Sequence, residues 1–157
     1  RETNHKINKL WRDAQLFLKD GNTFGLYGVL FVEDGKILLP SGLHLRYDDL
    51  QFTTTDRGVE FDYKTRRGRV RIYGGKIIEN VCQAIARCII GEQMLQIAKR
   101  YRVVLTVHDS IACCVKDEEV DEAQEYVEEC MRQPPEWAEG LPIDCESGTG
   151  KSYGECE

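Results

Sequence analysis

Two long stretches of the chain carry apolar residues at helical spacing. Between Asn4 and Asp20 they recur every three or four positions and Gly21-Asn22 follows as a stop signal, so the pattern predicts a helix. From about Gly75 to Arg100, apolar residues cover most of the circumference of a second predicted helix. A helix that is apolar on most sides needs partners on most sides, so we expect this one to be largely buried.

Short strand-like runs separate the two predicted helices. Between Leu26 and Tyr73 they are broken by clusters of turn-forming residues. The turns are Glu33-Asp34-Gly35, Pro40-Ser41-Gly42, Thr55-Asp56-Arg57-Gly58 and Arg66-Arg67-Gly68. This spacing predicts an antiparallel meander of about five short strands.

Two apolar runs enclose a His-Asp pair in the second half of the chain. Residues 103–107 precede His108-Asp109 and mostly apolar residues follow it to Val115, a pattern that predicts a buried β-hairpin with the pair at its turn. A bare carboxylate in such a place would cost several kcal/mol, so we expect Asp109 to be paired or to bind a cation. The alternative is a turn aspartate that hydrogen-bonds its own backbone.

The last part of the chain predicts one more helix and an irregular tail. Asp117 has the chemistry of an N-cap, and Pro134-Pro135 would end the helix. Its inner face would consist of Val120, Ala123, Val127 and Cys130. One last strand is expected near residues 143–146.

Charge is divided unevenly along the 157 residues. The net charge is −6, but residues 1–116 hold 19 Lys and Arg against 13 Asp and Glu, whereas residues 117–157 hold 2 against 14. The first part could face a polyanion while the acidic end points away, although ordinary surface charge explains the division as well. Because no apolar run is long enough to span a bilayer, we expect no membrane partner and a cytoplasmic protein.

The seven cysteines form no C-x-x-C pair and are odd in number. Structural zinc sites usually use close ligand pairs, and disulfide frameworks usually use even counts. We therefore interpret the cysteines as free thiols that are mostly buried.

A polar stripe interrupts the predicted apolar helix. Lys76, Asn80, Gln83 and Arg87 fall within about 60° of one another on a helical wheel. The stripe either belongs to an internal hydrogen-bond network or faces a ligand rich in acceptors, such as the minor-groove edges and phosphates of a nucleic acid. The spacing alone favours neither.

Three further motifs carry weaker signals. Gly148-Thr149-Gly150-Lys151-Ser152 lacks the first glycine of a phosphate-binding loop and the helix that should follow it. His108, Asp109 and Ser110 are consecutive and cannot form a hydrolase relay. The basic cluster at one predicted hairpin tip is interpreted first as a solvated edge and second as a phosphate contact: Lys64, Arg66, Arg67, Arg69 and Arg71.

Four blocks of the sequence resemble the phage-type branch of the family A (polymerase I-like) DNA polymerases. In the order of the family they are Leu39-Pro40-Ser41-Gly42 with Tyr47; Tyr73-Gly74-Gly75-Lys76 with Glu79-Asn80 and Gln83-Ala84-Ile85-Ala86-Arg87; Val107-His108-Asp109; and Trp137-Ala138-x-Gly140-Leu141-Pro142 leading to Gly150-Lys151-Ser152-Tyr153. The resemblance covers nearly the whole chain. Its second and third blocks are specific in combination, since their content and separation are jointly improbable.

The resemblance implies an α+β fold with an antiparallel palm-type sheet, a long buried central helix and flanking helices. It implies a single domain over residues 1–157, with an end-of-fingers helix at 1–25, the β-meander at 26–73 and the palm core at 74–157. Asp109 would be one of two carboxylates that hold two Mg²⁺ ions, and His108 would lie near the primer end. Gln83 would read the minor groove, with Asn80, Lys76 and Arg87 as further DNA contacts.

The implied function is template-directed nucleotidyl transfer on primer–template DNA with dNTPs, in a bacterial host or phage-infected cell. The first-motif aspartate and the nucleotide-binding helix of the family are not in this sequence, so we expect a fragment that works only with the remainder of the polymerase. Ser110 stands where these enzymes usually have Glu, a residue also seen in single-subunit RNA polymerases. An RNA polymerase fragment and a non-catalytic nucleic-acid-binding domain with a palm-like shape therefore remain alternatives.

Overall fold

The computed structural model describes residues 5–20, 31–33, 35–56 and 58–156. These residues form helices and small antiparallel sheets, so the predicted α+β class is confirmed. The chain divides into two compact units, Arg1–Ile85 and Ala86–Glu157. Across the described residues, no helix combines the length and the apolar character that crossing a bilayer requires.

The first unit opens with helix α1, His5–Asp20, close to the predicted bounds. Its apolar stripe is buried at Ala14, Phe17 and Leu18, as the spacing of these residues predicts. The stop signal at Gly21-Asn22 lies outside the described residues.

Among the described residues six strands follow, where about five were predicted, and they form two sheets. The first sheet has the order β1 (Phe31–Glu33), β2 (Lys36–Leu38) and β3 (His44–Arg46), and the second has the order β4 (Gln51–Thr55), β5 (Gly58–Thr65) and β6 (Gly68–Ile72). All neighbouring strands are antiparallel. The predicted stretch 26–30 lies outside the described residues.

The proline-serine-glycine block is the turn between β2 and β3. The amide of Gly42 donates to the carbonyl of Leu39 at 2.9 Å, and the amide of Leu39 donates to the carbonyl of Leu43 at 2.8 Å. Pro40 fits the second position of such a turn, and Gly42 has a φ of +80°, which glycine adopts without strain. This block of the resemblance therefore has a local conformational explanation.

The second sheet has one apolar and one charged face. Strand alternation places Phe61 and Ile72, both buried, on the first face. On the other face Arg69 bridges two carboxylates: its Nη1 lies 2.7 Å from Oδ2 of Asp49, and its Nε donates to Asp62. Hydrogen bonding from Arg69 lowers the pKa of the Asp49 carboxyl. Arg69 thus ties the β3–β4 connection to the β5–β6 hairpin.

Helix α2 spans Gly74–Ile97, and its first part belongs to the first unit. Several of its side chains are exposed, among them Cys82, Gln83 and Arg87, so the prediction of a largely buried helix is wrong in part. The backbone amide of Gly74 donates to Oε1 of Gln15 at 2.8 Å, which satisfies one of the free amides at the start of the helix. This bond joins α1 to the N-terminus of α2.

Gly74→Ala is expected to destabilise the chain by about 1–3 kcal/mol, the range for overpacking a well-packed site. A Cβ at Gly74 would collide with the carbonyl oxygen of Trp11 and would lie 2.8 Å from the amide nitrogen of Gln15. Both are backbone atoms, so no side-chain rotation can relieve the clash. Urea unfolding followed by circular dichroism measures the loss.

Gly75→Ala is the matched control, since among the described residues a Cβ there meets only the ring of Tyr73, at 3.2 Å, and this side chain is exposed. We expect it to be near neutral. Equal unfolding midpoints for the two variants would contradict the tight approach of α1 to Gly74.

The second unit packs a β-hairpin and helix α3 around the end of α2. The hairpin consists of β7 (Arg102–Val107) and β8 (Ser110–Cys114), and α3 spans Val120–Arg132. Its core cluster is Ile97, Tyr101, Ala123 and Cys130, with Val103, Ile111, Cys113, Val115, Tyr126, Val127 and Met131 packed against it. The predicted hairpin and three of the four predicted inner-face residues of α3 are therefore confirmed.

A β-bulge changes which hairpin side chains are buried. Val103 pairs with Cys113 but Leu105 pairs with Ala112, so Val104 is an extra residue in β7. Val104 is 54% exposed and Leu105 43%. The prediction of a buried hairpin is therefore wrong in part: Val103, Ile111 and Cys113 pack on the core, whereas these two side chains are exposed.

Two side chains of the second unit's part of α2 make polar contacts with the end of α3 and with the residues after it. The Gln93 side chain is 3% exposed, and its Nε2 donates to the carbonyl of Met131 at 2.6 Å and to that of Gln133 at 3.5 Å. The indole Nε1 of Trp137 donates to Oε1 of Glu92 at 2.5 Å. The C-terminal end of α3 and the segment after it are therefore held by side chains of α2.

The acidic end differs from its prediction in two places. Asp117 begins a short 3₁₀ turn, Asp117–Glu119, and its carboxylate accepts from Nζ of Lys151 instead of capping α3. Residues 143–146 form no strand. Polar contacts with α3 take the place of strand pairing: Nε of Arg132 donates to Oδ1 of Asp144 at 3.0 Å, and this contact lowers the pKa of Asp144.

No disulfide joins the seven cysteines, all of which lie among the described residues, as predicted. Cys88 and Cys130 are buried, and Cys113 and Cys145 are half-buried. The remaining three are exposed, so the expectation that they are mostly buried is wrong for Cys82, Cys114 and Cys156.

Candidate nucleic-acid interface

The His-Asp pair forms the two-residue turn of the β7–β8 hairpin. Val107 pairs with Ser110, so only His108 and Asp109 lie between the strands. His108 has a φ of +53°, and hairpin turns of this length usually place Gly, Asn or Asp at a left-handed position. A non-glycine residue there costs of order 1 kcal/mol, and strain of this kind is often concentrated at functional sites.

The Asp109 carboxylate is exposed at the end of the hairpin. The expectation that this charge lies in buried surroundings is therefore wrong, because the carboxylate stands at the exposed turn of the hairpin. The expectation that Asp109 binds a cation stays a prediction. Within the described part of the chain, Asp109 makes neither an ion pair nor a side-chain hydrogen bond to the backbone, so the alternative of a self-bonded turn aspartate is not observed. The side chain is left available to a ligand.

Asp109 alone is an incomplete magnesium site. Carboxylate oxygen is a ligand that Mg²⁺ prefers, and Mg²⁺ is usually held by one or two carboxylates together with substrate phosphates and water. Among the described residues, no three His, Cys, Asp or Glu side chains are grouped so that they could hold a metal ion. At the turn of the described β7–β8 hairpin, the group that could bind such an ion is the Asp109 carboxylate.

The polar stripe of α2 divides into two parts. In the first part both side chains have protein partners: Nζ of Lys76 lies 2.6 Å from Oε1 of Glu79, and Nδ2 of Asn80 donates to the hydroxyl of Tyr47 at 3.2 Å. Tyr47 is buried, and burial raises its pKa. Lys76 and Asn80 thus fit the internal network that the spacing left open.

Gln83 and Arg87 form the second part of the stripe. Both are exposed, and neither makes a side-chain hydrogen bond or an ion pair with any other described residue. Gln83 belongs to the first unit, whereas Arg87, His108 and Asp109 belong to the second. These two residues match the interpretation in which the stripe faces an external ligand.

The basic cluster lies on the β5–β6 hairpin, as predicted. Two of its members are neutralised by carboxylates: Arg69 by Asp49 and Asp62, and Arg71 by Glu60, at 2.7 Å from Nη2 to Oε2. The other three form no ion pair with any residue that the structure describes: Lys64, Arg66 and Arg67. The sequence did not reveal this division, because pairing depends on which acids the strand register places opposite each base.

Over 91% of its length the chain is 32% identical to the DNA polymerase of Bacillus phage SP02. The chain resembles part of a phage DNA polymerase. The alignment covers 167 residues and 24% of that polymerase, so the chain spans about a quarter of the length of this curated relative. No protein-family model matches the chain, and no solved structure matches it.

This similarity supports the polymerase interpretation of the sequence at a general level. It agrees with the phage-type character of the four sequence blocks. Membership of family A stays a prediction, as do the location in the palm and the roles of individual site residues.

Proposed function

We propose that this chain is part of a DNA-directed DNA polymerase of family A, and that it forms the C-terminal part of the palm with the end of the fingers. The observation that carries the proposal is the 32% identity to a phage DNA polymerase over 91% of the chain. The four sequence blocks and the exposed carboxylate at a strained hairpin turn support it. The substrates would be primer–template DNA and dNTPs, in the cytoplasm of an infected or host bacterium.

Asp109 would serve as one carboxylate ligand of the catalytic Mg²⁺ ions. When bound, these ions would stabilise the negative charge that develops on the transferred phosphoryl group. The hairpin contributes position: strand pairing on both sides of the turn fixes the carboxylate, and the left-handed backbone of His108 directs the chain into the turn. The second carboxylate would come from the remainder of the polymerase, so we expect no nucleotide incorporation by this chain alone.

Gln83 and Arg87 would contact the primer–template directly. An exposed amide can donate to minor-groove acceptors, and an exposed guanidinium can bind phosphate oxygens. Lys76 and Asn80, which have protein partners, would act mainly by fixing the start of α2. Since Tyr47 accepts the bond from Asn80, this second role links the first sequence block to the second.

Gln83→Ala is expected to raise the Kd of the purified chain for a fluorescein-labelled primer–template about fivefold, the effect of losing one hydrogen bond of about 1 kcal/mol. The side chain has no protein partner in the described structure, so the unfolding midpoint should not change. Fluorescence anisotropy measures the affinity, and circular dichroism measures the stability.

Gln96→Ala is the matched control, because Gln96 is also exposed on α2 and its only described side-chain contact is with Lys99. It should leave the affinity unchanged. An equal loss for both variants, or no loss for Gln83→Ala with the fold intact, would assign Gln83 to the solvated surface.

A further inference from the structure

We propose that the tip of the β5–β6 hairpin, residues Thr65 to Gly68, is a second nucleic-acid contact that binds phosphates without reading bases. This inference rests on the proposed function, because it presupposes that the chain binds DNA. It concerns a surface outside both the Asp109 turn and the exposed part of the α2 stripe.

Uneven neutralisation of the basic cluster is the first step of the argument. Toward the middle of the sheet the arginines form salt bridges: Arg69 with Asp49 and Asp62, and Arg71 with Glu60. Asp62 and Glu60 lie on the charged face of the sheet, and Asp49 lies in the β3–β4 connection. At the tip, Arg66 and Arg67 are exposed and form no ion pair with any residue described in the structure.

The rigidity of the tip is the second step. Oγ1 of Thr65 donates to the carbonyl of Gly68 at 2.7 Å and accepts from the amide of Arg67 at 3.2 Å. Gly68 has a φ of +122°, which a side chain would strain. Arg66 and Arg67 are thus held on a fixed turn at the end of paired strands, and less ordering entropy is lost when they bind.

The chemistry of the tip selects the partner. Two adjacent uncompensated guanidinium groups fit the closely spaced anionic oxygens of a phosphate backbone, and each can bind such oxygens in a bidentate manner. We therefore expect an electrostatic contact that depends strongly on salt and weakly on sequence.

The test measures the salt dependence of binding to a fluorescein-labelled primer–template between about 50 and 200 mM NaCl. The double variant Arg66→Ala/Arg67→Ala should lower the slope of log K against log salt by about 2 and weaken binding at least about tenfold at the lowest salt. Arg66→Lys/Arg67→Lys should retain the slope, because it retains both charges. Neither pair should change the unfolding midpoint, since the two side chains have no partner in the described structure.

Lys6→Ala/Lys9→Ala is the matched control, because it removes two exposed cations from α1 in the same unit. A slope change confined to the Arg66/Arg67 alanine pair supports the proposal. Equal changes for both alanine pairs, or none for the tip, would overturn it while leaving the proposed function intact. Absence of DNA binding by the unaltered chain would overturn both the proposed contact of the tip and the proposed direct DNA contacts of α2.

Discussion

Asp109→Asn in a polymerase that contains this chain is expected to lower the rate of nucleotide incorporation by about 10²–10³-fold, the range for removing one electrostatic stabiliser of a transition state. The amide keeps the size of the side chain but loses the charge that would hold the metal ions. Because Asp109 is exposed and makes no ion pair within the described residues, the variant should fold normally and retain its affinity for primer–template. Primer extension and anisotropy measure the two quantities separately.

Glu118→Gln is the charge-matched control for this prediction. It also removes one exposed carboxylate of the second unit, in the 3₁₀ turn before α3. We expect extension to be unchanged. Normal extension by Asp109→Asn would refute the assignment of Asp109 and favour the alternative of a non-catalytic nucleic-acid-binding domain.

Gln93→Glu is expected to destabilise the chain by about 3 kcal/mol or more at neutral pH. The substitution is isosteric, but it replaces an Nε2 donor by a carboxylate oxygen that would face the carbonyls of Met131 and Gln133. The site is 3% exposed, so water cannot compensate the charge. Urea unfolding gives the free-energy difference from the unaltered chain.

The pH dependence of that difference tests its cause. The buried carboxylate would have its pKa raised above the unfolded value, so its penalty grows as the pH rises through the unfolded pKa. At about pH 4 the protonated acid can donate to a carbonyl, and most of the difference should disappear. Gln93→Met removes the donor without adding a charge and should cost only about 1–2 kcal/mol at either pH. An equal loss for both variants at neutral pH would contradict the contact of Gln93 with the end of α3.

Local pattern was enough to predict most elements of the chain. The bounds of α1, the presence of α2, the β7–β8 hairpin and the inner face of α3 all follow from side chains three, four or two positions apart. Interactions of this kind act within one element and are therefore visible in the sequence. The four blocks added a family resemblance, and the similarity to a phage polymerase agrees with it.

Local sequence pattern did not predict contacts between residues that are distant along the chain. Asn80 and Tyr47 are 33 positions apart, and Gln93 and Met131 are 38 apart. A polar residue in an apolar helix, such as Gln93, signals that a partner exists but does not identify it. The extra residue at Val104 likewise changes the phase of a strand whose composition looks uniformly buried.

For the candidate site, sequence and tertiary structure determined different properties. The sequence by itself determined that a His-Asp pair closes a hairpin and that four polar side chains share one side of a helix, because strand and helix periods fix both. Only the tertiary structure decided that Asp109 is exposed. It also decided that, among the described residues, Asn80 has a side-chain partner in Tyr47 while Gln83 has none, and that Arg69 is neutralised while Arg66 is not. Exposure and pairing depend on which distant segments the fold brings into contact, and the spacing of residues along a chain does not contain that information.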